Sequence, residues 1–180
     1  IAKIIAKKKK VKIDYESIFP APSKLEPDNV YSHLNLFNSS FVTTNYEKYL
    51  SPDSRKADPE QDWRFYKREH LLRVRLDRNG NVVHIHGCLD DPDSMVITTK
   101  DYLDHYSSNG VQEFLKYLFA EKTVLFLGYG LEEIEVLEYI LRRGEASARH
   151  GQERTRRYIL QGFFSKKIFS HTFYCSRDTN

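Results

Sequence analysis

Glycine is scarce in this chain, with eight in 180 residues, and none falls within residues 1–29. No glycine-rich phosphate-binding turn therefore precedes Thr43. Cysteine is limited to Cys88 and Cys175, which excludes a disulfide framework and a four-cysteine zinc site. Two reduced thiols in a cytoplasmic protein are the expectation. No apolar run approaches the ~20 residues of a membrane helix, so no membrane partner is expected. Lysines interrupt Ile1 to Ile13, so no secretory signal is visible in that stretch. The only methionine is Met95 and the chain opens on Ile1, so a fragment of something longer is expected. The charge excess is small, +3, and does not argue for a polyanion, so nucleic acid is not an expected partner. Lys7 to Lys10 with Lys12, Arg142-Arg143 and Arg154 to Arg157 read as solvated surface.

What is present fits one globular domain. Hydrophobic residues make up 40% and charged residues 29%, which suits a packed core rather than disorder. Residues 1–29 read as an irregular, basic segment with prolines at 20, 22 and 27. Residues 30–180 read as an α/β domain with an insertion at about 51–80. Asp28 or Asn29 is expected to cap a helix running to Phe37, with Leu34 and Phe37 facing inward. A strand over Ser40 to Thr44 follows. Leu71 to Leu76 resembles a further strand, and Asn79-Gly80 signals a hairpin into Val82-Val83. Thr99 and Asn109 are candidate caps for two helices, the second with Val111, Leu115, Leu118 and Phe119 on one face. Thr123 to Leu127 and Arg157 to Phe164 read as strands. Leu131 to Arg143 reads as a helix closed by Gly144. The alternation predicts a Rossmann-like fold, a mostly parallel sheet with helices on both faces and an antiparallel hairpin insertion.

Three apolar runs end in residues suited to chemistry. They are Phe41 to Glu47, Val82 to Gly87 and Val124 to Leu131. Ligands of parallel α/β sheets bind just past the carboxyl ends of the strands, so these ends are expected to share one crevice. Asn45 offers a donor and an acceptor together. His86, with an ordinary pKa of about 6.5, takes a proton at neutral pH. His84 shares a strand face with His86, but no third ligand has suitable spacing, so no metal site is expected. Gly128 and Gly130 flank Tyr129 ahead of a helix, where an anion is favoured.

These blocks carry a resemblance. Thr43-Thr44-Asn45-Tyr46-Glu47, His86-Gly87 and Gly128-Tyr129-Gly130-Leu131 are similar to the TTNYD, HG and GYSL blocks of sirtuin-like domains in prokaryotic anti-phage defence proteins. Leu89 to Pro92 and Val96 to Tyr102 add lesser matches. The likeness runs from about Val30 to about Gln161. It implies a domain that cleaves the nicotinamide–ribose bond of NAD, with Asn45 and His86 as the catalytic pair. It further implies nucleotide contacts from Thr43, Thr44, Glu47, Gly87, Gly128, Tyr129, Gly130 and Leu131. Thr43 and Thr44 point to opposite faces, so one of them is expected to reach the ligand. Gly130 stands where the family has serine, which removes a hydroxyl contact, and Glu47 lengthens the arm of the usual Asp. The family's amino-terminal Gly-rich turn has no counterpart here: either it lies upstream of Ile1 or the nucleotide site is incomplete.

The resemblance leaves several functions open. An NAD glycohydrolase that depletes NAD as a defence effector leads. It implies NAD as substrate, no zinc, a homo-oligomer, and a sensor or helicase-like partner. A non-catalytic module binding NAD or ADP-ribose is the alternative. A protein deacylase is disfavoured because that branch usually carries a four-cysteine zinc ribbon. A pure interaction domain is the remaining reading.

Overall fold

The computed structural model describes residues 13–18, 29–53, 62–128 and 157–160. The chain divides into two units, Ile1–Ala120 and Glu121–Asn180. In the first, helix α1 (Tyr15–Ile18) and helix α2 (Val30–Leu34) precede strand β1 (Phe41–Thr43). Strand β2 (Arg64–Phe65) and strand β3 (Val82–His84) follow, then helices α3 (Thr99–Tyr106) and α4 (Asn109–Glu121). The second unit pairs strand β4 (Val124–Leu127) with strand β5 (Arg157–Leu160), in parallel from Val124↔Arg157 to Leu127↔Leu160. Parallel sheets with helices make this a Rossmann-like α/β fold.

Strand β3 organises the first unit. It lies between β1 and β2 and pairs with both in parallel. A parallel strand covered on both faces must be almost wholly apolar, and Val82 and Val83 are fully buried. Helix α4 buries Val111, Phe114, Leu115, Leu118 and Phe119, spaced three and four apart on one stripe. That stripe includes every residue the periodicity predicts.

The expected antiparallel hairpin does not form. Arg73–Leu76 is a turn of 3₁₀ helix, with Arg75 N–H donating to the Leu72 carbonyl at 3.0 Å and Asp77 N–H to that of Val74 at 3.3 Å. The physical reason is occupancy, because both edges of β3 are already taken. On the β2 side, Val82 N–H donates to the Trp63 carbonyl at 2.7 Å. The turn at Asn79-Gly80 is nonetheless present, with Gly80 at φ 80.

Smaller boundaries shift as well. Asn29 caps α2, accepting from the N–H groups of Tyr31 and Ser32. The helix stops at Leu34, so Phe37 is 52% exposed rather than inward. Thr98, not Thr99, caps α3, and its reciprocal partner in a capping box is Asp101. Asn109, expected as a cap, is instead the first helical residue of α4. The expected helix over Leu131 to Arg143, its Gly144 cap, most of the Ile1 to Ile13 segment and the end of the Arg157 to Phe164 strand lie outside the described residues.

The buried stripe of α4 is testable. Phe114 is 1% exposed. Truncating it leaves a cavity, so Phe114→Ala is expected to lower unfolding free energy by about 3–5 kcal/mol. Urea denaturation followed by circular dichroism checks this. A change under about 1 kcal/mol would mean that α4 is not part of the core.

Candidate functional site

The register of β1 and β3 pairs Phe41 with Val82 and Thr43 with His84. Ile85 N–H continues the ladder by donating to the Thr43 carbonyl at 2.9 Å. Asn45 and His86 each stand two residues beyond these paired ends, at one carboxyl edge of the sheet. Of the three strand ends expected to meet, these two stand at one edge, while Gly128 belongs to the second unit.

The peptide of Asn45 is held on both sides. Its N–H donates to the Thr43 hydroxyl at 3.1 Å, and its carbonyl accepts from the His84 Nδ1–H at 3.0 Å. A carbonyl only accepts, so this contact places the His84 proton on Nδ1. His84 is fully buried, and its pKa is lowered chiefly by that burial. The side chain of Asn45 is exposed and has no hydrogen-bond partner among the described residues. Thr43 thus spends its hydroxyl on the loop, and Thr44 is half-buried beyond the strand.

The next residues fold the loop back on the domain. Tyr46 donates its hydroxyl to the Val96 carbonyl at 2.6 Å, and its own carbonyl accepts from Leu89 N–H at 3.0 Å. Glu47 turns inward, its carboxylate accepting from Tyr49 N–H at 2.6 Å. Burial and the nearby Glu47 charge push the Tyr31 phenol above its ordinary range. Asn35, at the end of α2, donates to the Tyr49 carbonyl at 3.1 Å and accepts from Ser51 N–H at 2.7 Å. Arg64 reaches the carbonyls of Lys48 and Leu50 at 2.9 and 3.1 Å. It also pairs with Asp90, 3.4 Å away, which Lys48 holds at 2.6 Å. Those cations, Lys48 foremost, keep the Asp90 carboxyl below the usual carboxylate range.

Past β3 the chain turns at Gly87, with φ 86. A Cβ there would stand 2.4 Å from the Ser94 carbonyl oxygen, so both backbone angle and space demand glycine. Ser94 then receives Cys88 N–H on its hydroxyl at 3.2 Å and donates to the Asp91 carbonyl at 2.6 Å. Cys88 is a buried thiol whose pKa is raised by burial. The His86 carbonyl accepts from Val96 N–H at 2.9 Å. These bonds bring residues 86–96 into one folded loop.

His86 itself is 7% exposed, and its Nε2 shares a 2.8 Å hydrogen bond with the Tyr106 hydroxyl. The rings of Tyr102, His105 and Tyr106 surround it, with centroids 5.8 to 6.0 Å away. Burial, with the neighbouring His86, lowers the pKa of His105 to about 4, so that imidazole is neutral at physiological pH. Sequence reasoning did not single out these three partners. Their spacing of three and four along the helix after the HG dipeptide was the signal. A cleft of about 470 Å³ lies beside the cluster, lined by His105 with Tyr66, Arg68, Asp91, Ser94 and Met95 among others. Neither Asn45 nor His86 lines it.

In the second unit Gly128 ends β4 at φ 60, with nothing within 4 Å of the place a Cβ would occupy. Tyr129, Gly130 and Leu131 lie outside the described residues. Among the described residues, no group of three His, Cys, Asp or Glu side chains is placed to hold a metal ion. No described helix is long and apolar enough to cross a membrane. A family model described as "SIR2-like domain" matches residues 39–172. No curated protein matches the chain.

Two outcomes follow from this geometry. Gly87→Ala combines a positive φ with a backbone clash, so a loss of about 1–3 kcal/mol or more is expected. A melting temperature equal to that of the wild type would contradict the tight turn. The buried histidines predict acid sensitivity. The folded pKa of His105 lies below its unfolded value of 6.5, so the unfolded chain binds the proton first. Stability is therefore full above about 6.5 and falls as pH drops through about 4, by on the order of 2 kcal/mol from this residue. His84 acts in the same direction. Urea midpoints across that interval should fall for wild type and fall less for His105→Gln.

Proposed function

The chain belongs to the SIR2-like domain family, whose members use NAD as a substrate, and from this we propose that it is an NAD glycohydrolase. The reaction is attack of water on the nicotinamide-bearing ribose carbon. The carbon–nitrogen bond breaks, its electron pair neutralises the nicotinamide ring, and the proton of the water passes to a base. Positive charge develops on the ribose, as in glycoside cleavage. Asn45 is proposed to orient the ribose or the water through its carboxamide, and His86 to take the proton. Thr43, Thr44, Glu47, Gly87 and the Gly128 to Leu131 turn are proposed to line the nucleotide. The observation that carries this reading is the Thr43↔His84 register, which supports Asn45 and His86 acting at one sheet edge. The two-cysteine count speaks against the zinc-ribbon deacylase branch.

We further propose that the domain works in the cytoplasm as the NAD-depleting effector of an anti-phage system. It would do so as a homo-oligomer beside a sensor or helicase-like partner. One observation favours a second reading, binding of NAD or ADP-ribose without turnover. The imidazole proposed as base is nearly enclosed, and its Nε2 is engaged by Tyr106.

Nicotinamide release from NAD by the full chain distinguishes the two, run beside a calorimetric titration with NAD and ADP-ribose. Hydrolysis is expected, with Asn45→Ala and His86→Ala each losing about 100-fold or more. Saturable binding with no nicotinamide would favour the binding module. Full activity in both variants would remove them from the site, and acyl-peptide turnover with NAD would restore the deacylase.

A further inference from the structure

We propose that His84 is the positioning residue of this edge, holding the Asn45 peptide so that its carboxamide is presented in one place. The proposal rests on the catalytic reading of Asn45 above. Beyond a strand end a carbonyl has no ladder partner, and in an exposed loop water ordinarily satisfies it. Here a fully buried imidazole does so at 3.0 Å, while the Thr43 hydroxyl takes the N–H at 3.1 Å. With both peptide groups fixed, the remaining freedom of Asn45 lies in its two side-chain torsions.

Packing alone does not account for a histidine at this position. Its neighbours Val82, Val83 and Ile85 are buried and apolar, and a fourth aliphatic residue would suit a strand covered on both faces. The imidazole instead brings Nε2 into the interior. That atom is buried, carries the lone pair because the proton is on Nδ1, and has no hydrogen-bond partner among the described residues. Burying an acceptor without a partner is unfavourable. What the imidazole adds at this position over an aliphatic side chain is the Nδ1–H donor to the Asn45 carbonyl.

The test compares His84→Leu, which fills the space without a donor, with His84→Asn, whose amide nitrogen takes the place of Nδ1. Nicotinamide release by the full chain is measured for both, and for His84→Leu combined with Asn45→Ala. His84→Leu is expected to lower kcat about tenfold or more, with KM for NAD changed less than about threefold. His84→Asn should recover most of that loss. In the Asn45→Ala background, adding His84→Leu should cost little further. Equal kcat for His84→Leu and wild type, no rescue by asparagine, or losses that add fully would each overturn the proposal. Full activity of Asn45→Ala would instead overturn the catalytic reading. A second measurement covers a chain that hydrolyses no NAD and a variant that does not fold. In a long-range proton–nitrogen spectrum of the wild type, His84 should show a single Nδ1–H tautomer. The Asn45 carbonyl carbon should shift in His84→Leu but not in His84→Asn. A proton on Nε2, or an unmoved carbonyl resonance, would refute the positioning role whatever the activity.

Discussion

Strand β3 has no free edge and no free face, and the rest of the first unit is arranged around that constraint. Every residue from Asn81 to Cys88 is buried. Apolar members need only neighbours, but each polar member must find a partner or be penalised. Asn81 donates to the Arg75 carbonyl at 2.9 Å, His84 to that of Asn45, and His86 meets the Tyr106 hydroxyl. The polar residues therefore act as fasteners, each drawing a different segment toward the central strand. Enclosure of one strand thus dictates where the loops around it go.

Arg64 extends the same logic outward. Its guanidinium stacks 4.7 Å from the Trp63 ring and gathers two carbonyls from the loop after β1 and the Asp90 carboxylate from the loop after β3. An arginine suits this task because its fixed fork of donors serves several acceptors at once. As an ion pair the Lys48–Asp90 contact is half exposed and worth little alone. Its value lies in the shared carboxylate, which places two separate loops on one anchor.

Much of this was legible in residue order. Short apolar runs ending in Asn45 and His86 announced parallel strands, of which β3 is buried while β1 is only partly covered, and the helical stripe of α4 was written in its spacing. Helix starts were readable to within one residue, since Thr98 and Thr99 both have the chemistry of a cap. The failures share a cause. Leu71 to Leu76 has strand-like composition, but whether it pairs depends on a free edge, and sequence does not reveal that β1 and β2 occupy both edges of β3. Phe37 lost its inward place because the helix ended a turn sooner, and apolar character alone does not fix that end. The partners of His86 were missed because a tyrosine beside a histidine becomes informative only when a distant strand end arrives between them. His84 was noticed for sharing a strand face with His86, while its bond to a carbonyl depends on the register.

The loop from His86 to Val96 is closed upon itself at Gly87, Ser94 and the His86 carbonyl, and Tyr46 bolts it to the loop carrying Asn45. Ordering a residue costs about 1–2 kcal/mol of backbone entropy. For these loops that cost falls on folding, before any molecule arrives. A molecule bound at this edge would therefore meet a pre-organised surface, and its affinity would be spared the penalty that a floppy rim imposes. The converse is that the stability of the fold and the shape of this edge are not separable properties here. Loosening a distant fastener would disturb both, since the same hydrogen bonds hold the fold together and fix the two loops at this edge.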